Sequence, residues 1–332
     1  MAVDAETALL IAHCGRVMID SGYTSGYSGG SGSPQAEVAA RKAFDAHWVP
    51  GPRLKTCSFE RVPGGPMGLA TRFAGYQARP CNTAEVLGFV REMHAAGVEA
   101  VKFLLNGVSA FDARSNLGDQ FYDEEIEAAG KLAHELGLSL TAHCYTPHAI
   151  QLALRSGFNL LYHVGWADEA SLDAIEARKD AVYIGPAPGI VEADFVRGPR
   201  FGIMASPEGR AEQTEAVERI KRVGADLRRR GIRAIPGGDY GFPWNPIGTN
   251  ARDLELFVEW FGYTPSETLH AATAMAAEAM GLGGRLGLVR AGAFADLLLV
   301  DGDPTQDIGR LRDRQRLLAI MKDGRFHKAP PA

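Results

Sequence analysis

The chain has 332 residues, of which 46% are hydrophobic and 23% charged, and its formal net charge is −5. This balance excludes the basic surface typical of nucleic-acid-binding proteins and the low hydrophobicity typical of disordered chains. No apolar run approaches the roughly 18 residues of a membrane span, and the N-terminus lacks the basic and apolar regions of a signal peptide. We therefore expect a cytoplasmic protein with a small-molecule substrate, no nucleic-acid or membrane partner and, because its four cysteines have no C-x-x-C spacing, free thiols.

Short apolar segments rich in β-formers alternate with amphipathic segments along most of the chain, a pattern that predicts parallel βα units. The strand candidates, in chain order, are residues 23–28, 53–59, 98–105, 138–145, 158–164, 181–187 and 232–239. From about Gly287 the pattern changes to short strands with tight turns. We predict an α/β fold with a TIM (β/α)8-type barrel over residues 1–286 and a small β element over residues 287–332.

Helical patterns fill the gaps between these strands. Candidate helices cover residues 33–48, 123–137, 206–231 and 265–281. Ser33 is the expected N-cap of the first, with Pro34 in its first turn. Gly137 supplies a stop signal for the second.

Four polar residues stand at or near the ends of apolar strand candidates: Lys102, His143, His163 and Asp239. The carboxyl ends of all strands in a (β/α)8 barrel meet at one face, so these distant residues would become neighbours. Imidazole nitrogens and carboxylate oxygens bind zinc-like cations, whereas a protonated lysine cannot bind a metal unless CO2 converts it to a carbamate. Each residue alone has an ordinary structural explanation, but the ordered set on different strands predicts a two-metal hydrolytic site.

The segments around these residues, 101–107, 141–175, 237–244 and 264–304, resemble the amidohydrolase superfamily, in particular its imidazolonepropionase-like and Xaa-Pro dipeptidase-like branch. The resemblance runs from about residue 5 to residue 325. It implies that carboxylated Lys102 bridges two divalent metals, expected to be Zn²⁺. It also implies that His143 and His163 bind one cation, while Asp239 binds the other and acts as general base.

One part of the family pattern has no counterpart here. Members carry a His-x-His pair on the first barrel strand, and none of the nine histidines of this chain forms such a pair. The resemblance therefore implies a barrel that lacks its first strand and a C-terminal β element that is part of an accessory β-sandwich domain. Because unpaired strand edges invite pairing with other chains, we expect a homo-oligomer.

Several further residues follow the predicted strand ends. Tyr145 lies two positions after His143, on the same side of a strand, and the resemblance implies contact with the substrate or its developing oxyanion. Tyr240, Trp244 and Asn106 are predicted to bind substrate beside it. The predicted reaction is hydrolysis of an amide-type C–N bond in a small molecule or dipeptide by a metal-bound hydroxide, with Asp239 as base.

Three alternatives remain open at this point. A one-metal deaminase of the same superfamily would not need the lysine bridge, and a chain without its first strand could be an inactive scaffold. The third is a serine hydrolase, because Gly26-Tyr27-Ser28-Gly29-Gly30 fits the G-x-S-x-G pattern. That nucleophile elbow requires a helix directly after the serine, whereas here the helix start is predicted at Ser33.

Overall fold

A parallel sheet forms the centre of the molecule in the computed structural model, which describes residues 2–63, 65–66, 82–108 and 117–331. The strands of this region are β1 (Ser25–Tyr27), β2 (Arg53–Lys55), β3 (Cys57–Val62), β4 (Gly65–Pro66), β5 (Ala100–Leu104), β6 (Ser139–Cys144), β7 (Leu160–His163) and β8 (Tyr183–Gly185). Strands β3, β5, β6, β7 and β8 pair in that order and all run parallel, while β1 pairs in parallel with β2. Short β4 is antiparallel to β3.

Helices follow the strands and cover the sheet. They are α1 (Ala2–Asp20), α2 (Pro34–Asp45), α3 (Thr83–Ala96), α4 (Asp123–Glu135), α5 (Pro147–Arg155), α6 (Glu169–Glu176), α7 (Pro188–Val196), α8 (Pro207–Arg229), α9 (Arg252–Phe261), α10 (Pro265–His270) and α11 (Ala276–Ala279). The alternation of parallel strands and helices confirms the predicted α/β class.

Local signals account for the helix ends. Ser33 is the N-cap of α2 and accepts a hydrogen bond from the Ala36 amide, with Pro34 in the first turn, as predicted. Gly137, with φ of 71°, follows the end of α4 in the left-handed region that glycine tolerates best. Such caps satisfy backbone groups that a helix leaves unpaired at its ends.

The core lies between the sheet and its helices because the central strands are buried along their whole length. Every residue of β5 is buried, as expected for a parallel strand covered on both faces. Phe103 on β5 packs edge-to-face against Phe89, Phe121 and Phe158, with ring centroids 5.7, 5.7 and 6.1 Å away. This aromatic cluster fixes β5, and with it the position of Lys102 one residue earlier.

The last predicted barrel strand, residues 232–239, is only partly strand-like. Ala234 forms a parallel bridge with Ile184 of β8, and the Ile235 amide donates to the Ile184 carbonyl at 2.9 Å. Pro236 then ends the pairing because it has no backbone N–H. The segment thus lies next to β8 as predicted but leaves the sheet as an irregular strand end at Gly237.

The predicted helix over residues 265–281 is also interrupted. A π-helical turn at Ala271–Met275 separates α10 from α11. The Thr273 hydroxyl donates to the Leu269 carbonyl at 2.7 Å, and such side-chain bonding to the preceding turn competes with regular helical geometry.

A small antiparallel sheet follows, as the change of pattern near Gly287 predicts. Its strands are β9 (Leu297–Val300), β10 (Leu317–Lys322) and β11 (Arg325–Lys328), with β10 in the middle. Arg53 on β2 forms ion pairs with Asp296 and Asp323 beside this sheet, which attaches it to the parallel strands.

The cysteines Cys14, Cys57 and Cys144 are free thiols as predicted, and Cys81 lies outside the described residues. Among the described helices, none is long and apolar enough to cross a membrane.

Candidate active site

A cavity of about 120 Å³ opens at the carboxyl ends of the parallel strands. Three of the four residues singled out in the sequence line it, namely His143, His163 and Asp239. Tyr145 and Trp244 line it as well. The fold therefore brings side chains from β6, β7 and the segment after β8 to one place, which is the arrangement expected at the C-terminal face of a barrel.

Lys102 lies beside this cavity and is held by two oxygen acceptors. Its Nζ atom is 2.8 Å from Oε1 of Glu60 and donates to the Gly29 carbonyl at 2.5 Å. The ammonium also stands 4.7 Å from the ring centroid of Tyr162. Glu60 lines the cavity, and the sheet register places it directly opposite Lys102 on the neighbouring strand.

These surroundings stabilise the charged form of the lysine. Burial acts to lower the pKa of Lys102, but the carboxylates of Glu60 and Asp239 together outweigh it and hold the pKa above its usual value. In this arrangement Lys102 is an ion-paired ammonium. Carbamate formation requires the neutral amine, so carboxylation of Lys102 would have to displace the ion pair with Glu60.

The two histidines and Tyr145 form an aromatic cluster. The ring centroids of His143 and His163 are 4.5 Å apart, and Tyr145 lies 4.6 Å from His143 and 4.9 Å from His163. Burial lowers the pKa of His163 to about 4, against the opposing effect of Asp239. His163 is therefore a neutral imidazole at physiological pH, the form that binds metal ions.

Asp239 occupies an unusual backbone position at the end of its strand. Its φ is 55°, in the left-handed region that few residues other than glycine adopt. The Asn245 side chain stabilises this turn, because its Nδ2 donates to the carbonyls of Gly238 at 2.8 Å and Asp239 at 3.1 Å. Strained backbone of this kind is common at functional sites, where surrounding contacts hold it in place.

The predicted substrate-binding residues lie in different places. Trp244 lines the cavity, where its Nε1 donates to Asp194 at 2.6 Å and its ring stacks on Phe242. Tyr240 instead lines a second cavity, together with Arg197 and Asn245. Asn106 is fully buried and bonds to protein groups rather than facing the cavity.

Ser28, the serine of the G-x-S-x-G pattern, is not among the residues that line the cavity. Its backbone amide donates to the Lys55 carbonyl, which holds it in its loop.

Asn106 fixes the chain at Tyr145. Its Oδ1 accepts from the amides of Tyr145 at 2.7 Å and Thr146 at 3.2 Å, and its Nδ2 donates to Asp119. We expect Asn106→Ala to lower the free energy of unfolding by about 1–3 kcal/mol, because buried donors lose their acceptor. Chemical denaturation measures this loss. Asn159→Ala is the matched control, because Asn159 also accepts from a strand amide, that of Leu140. Only Asn106→Ala should also impair turnover, and equal effects on turnover would contradict the positioning of Tyr145 by Asn106.

The cavity is lined by side chains of the types that bind metal ions, two imidazoles and three carboxylates. Within the described parts of the chain, no group of three or more His, Cys, Asp or Glu side chains is arranged to hold a metal ion. The chemistry of the cavity lining nevertheless suits a divalent cation, since both imidazoles and carboxylates line the same cavity. Lys102 in its ammonium form contributes no ligand.

Sequence reasoning missed three charged residues of this site. Glu60 escaped because the strand candidate ended at Phe59, whereas β3 continues to Val62 and carries Glu60 into the cavity. Arg219 lies on helix α8, whose dense charge pattern resembles an ordinary solvated face, and Asp194 lies on helix α7, which is not among the helices predicted from the sequence. Recognition of a longer β3 would have identified Glu60, but no local signal distinguishes Arg219.

Comparison with known proteins is consistent with this geometry. A sequence model described as the amidohydrolase family matches residues 6–326. Ochratoxinase from Aspergillus niger is 27% identical over 248 residues, which are 74% of this chain and 50% of that protein. The chain thus spans about half the length of the curated relatives it matches.

Solved structures show the same fold. A Xaa-Pro dipeptidase with bound methionine superposes with a TM-score of 0.82 at 22% identity, over 97% of this chain and 79% of that one. A prolidase-like protein from Bifidobacterium longum gives 0.82 at 22% identity, over 98% and 79%. The A. niger ochratoxinase structure gives 0.79 at 22% identity, over 98% and 76%. At these identities the likeness establishes a TIM-barrel-like α/β fold.

Proposed function

This chain belongs to the amidohydrolase family, and we propose that it hydrolyses an amide-type C–N bond in a small molecule or dipeptide. The observation that carries this proposal is the convergence of His143, His163 and Asp239 on one cavity, with Lys102 beside them. The curated relative is an ochratoxinase, and the structural relatives include dipeptidases, which supports C–N bond hydrolysis rather than another reaction of the fold.

We propose that the cavity holds two divalent cations, with Zn²⁺ expected: His143 and His163 would hold one, Asp239 would hold the other, and a carboxylated Lys102 would serve both. The chemistry supplied by a bound cation is a lower pKa for water and polarisation of the substrate carbonyl. Carbamate formation would require the Lys102 ammonium to lose a proton to solvent before the neutral amine bonds to CO2, and it would break the ion pair with Glu60. The proposed roles of Asp239 and Tyr145 in the reaction differ from each other.

Asp239 is the proposed general base. It takes a proton from water as the water oxygen bonds to the carbonyl carbon, and it passes this proton to the leaving nitrogen as the C–N bond breaks. The products are a carboxylic acid and an amine. We propose that the Tyr145 hydroxyl donates to the oxygen that becomes negative during attack, a role supported by the packing of its ring against both histidine rings.

We further propose that the substrate carries a carboxylate beside the scissile amide. Arg219 lines the cavity with a side chain that is 14% exposed, and its guanidinium lies 3.9 Å from the ring centroid of Trp166. Its ion-pair partner Glu215 is 73% exposed, so a substrate anion can compete for the guanidinium. One structural relative has bound methionine and another is complexed with N-methylphosphonate-L-proline, and both ligands carry an amino-acid carboxylate.

Replacement of Arg219 tests both the function and the substrate class. Arg219→Met should raise KM for an N-acyl amino acid about 10–100-fold, the effect of losing a charged hydrogen bond, while kcat changes little. The same amide with its carboxylate blocked should show no difference between variant and parent. Arg222→Met, one turn away on the exposed side of α8, is the matched control. Equal losses on both substrates would contradict carboxylate binding by Arg219, and the absence of amide cleavage by the parent would contradict the function.

A further inference from the structure

A buried carboxyl group that does not line the cavity contacts residues 237–240, the segment that carries Asp239 and is called the Asp239 segment here. Asp253, in the first turn of α9, is 1% exposed. Its Oδ2 accepts a hydrogen bond from the Gly237 amide at 2.9 Å. This bond joins α9 to the strand end two residues before Asp239.

Glycines on two sides allow the backbone to approach this carboxyl closely. A Cβ atom at Gly238 would lie 2.5 Å from Oδ1 of Asp253 and 2.7 Å from the Tyr240 hydroxyl. A Cβ atom at Gly189, at the start of α7, would meet the same two atoms at 2.4 and 2.7 Å. These distances are too short for any real side chain, so Asp253 is enclosed by backbone from α7 and from the Asp239 segment.

The environment of Asp253 is that of an internal structural group. Burial raises its pKa to about 7, although the hydrogen bond from the Gly237 amide acts in the opposite direction. Burial, together with the nearby Asp253 carboxyl, also raises the pKa of Tyr23 and Tyr240. The hydrogen bond from Gly237 satisfies Oδ2 of this buried carboxyl, and breaking it would leave the carboxyl without its bonded partner, which is costly.

The segment is held from its other side as well. Asn245 donates to the carbonyls of Gly238 and Asp239, while Arg197 donates to the Trp244 carbonyl at 2.6 Å and contacts the Asn245 side chain. Asp253 accepts from the Gly237 amide, and Asn245 donates to the Gly238 and Asp239 carbonyls. The backbone from residue 237 to residue 239 is therefore hydrogen-bonded through both an N–H group and C=O groups. This double attachment accounts for the left-handed conformation of Asp239.

We propose that Asp253 is a positioning residue that sets the location of the Asp239 carboxylate in the cavity by holding the Gly237 amide. This inference rests on the proposed role of Asp239 as general base. Asp253 touches neither substrate nor reacting atoms. Its effect is transmitted through the two peptide units between Gly237 and Asp239.

The test compares Asp253→Ala with Asp253→Asn. The alanine variant removes the acceptor for Gly237, so kcat should fall about 10–100-fold, the scale expected when a catalytic group moves by about 1 Å. KM should change less than about 3-fold. The asparagine variant keeps an oxygen that can accept from Gly237 and should restore most of the turnover. Glu255→Gln is the matched control, because Glu255 lies on the same helix but pairs with Arg252 and Arg312.

Hydrogen exchange supplies a readout that does not depend on activity. Asp253→Ala should speed exchange of the amides from Gly237 to Tyr240 about tenfold or more, while α8 keeps its parental protection. If Asp253→Ala does not fold, Asp253→Ser, which removes the carboxylate but leaves a small polar side chain, should give the same local change.

Two outcomes would overturn the inference: parental exchange in the Gly237–Tyr240 segment, or parental kcat in Asp253→Ala. Comparison with Asp239→Asn separates the two proposals. Should Asp239→Asn lose turnover while Asp253→Ala keeps it, only the positioning role fails. Should both retain turnover, the proposed base is wrong, and the exchange result alone decides whether Asp253 holds the segment.

Discussion

Replacing Asp239 with Asn is expected to lower kcat for amide hydrolysis by about two to four orders of magnitude, the usual contribution of general acid–base catalysis. Asparagine keeps the size of the side chain and an oxygen donor but cannot accept a proton. Folding should be unaffected, because the contacts that hold this segment involve the backbone at Gly238 and Asp239. Steady-state kinetics with one amide substrate measures the effect.

Asp194→Asn is the matched control for this experiment. Asp194 lines the same cavity and accepts from the Trp244 indole, a bond that an asparagine oxygen can also make. Its turnover should stay within about tenfold of the parent, since it gives up only a charged hydrogen bond. An Asp239→Asn variant with parental kcat would refute the assignment of Asp239 as base.

Lys102→Ala is expected to reduce both bound divalent metal and amide hydrolysis to background. Removal of the side chain eliminates the proposed carbamate, which leaves His143, His163 and Asp239 as an incomplete set of ligands. Lys102→Arg should fail equally, because a guanidinium does not form a carbamate. Metal analysis of the purified variants and turnover with added short carboxylates, which can replace the carbamate, measure these effects.

Lys55 offers a matched control for this lysine. It is a half-buried lysine on strand β2, its Nζ donates to Ser139 at 2.8 Å, and it lies 4.7 Å from the ring centroid of Tyr27. Lys55→Ala therefore removes a lysine with similar packing but without a role in the cavity, and metal content should not change. Normal metal content in Lys102→Ala would show that Lys102 serves only as the ion-pair partner of Glu60.

The parallel strands could be predicted from sequence because each is a short apolar run bounded by turn residues, and β5 and β6 match their candidates closely. The two histidines and Asp239 could also be predicted, since a polar residue at the end of a buried strand is unusual and barrel topology brings strand ends together. The irregular end of the segment at Pro236 reflects a local backbone restriction that the apolar pattern of residues 232–235 conceals.

Other parts of the site depend on tertiary packing. Glu60 and Lys102 form an ion pair only because the register of β3 and β5 places them opposite each other, and no local pattern encodes this register. Asn106 follows its strand as predicted, but its amide is used to hold Tyr145 and Thr146. Tyr240 lines a different cavity from the one that Asp239 lines, and the sequence carries no signal for this because it depends on the left-handed backbone at Asp239.

The most direct measurement is the cleavage of an N-acyl amino acid by the parental chain, assayed for free amine and carboxylic acid after incubation with Zn²⁺ or with a chelator. We predict equal amounts of both products with the metal, and background levels with the chelator and in Asp239→Asn. Release of ammonia from an amidine-type substrate, without amide cleavage, would favour a deaminase. No turnover with any divalent cation, or equal turnover with and without chelator, would contradict a metal-dependent amide hydrolase.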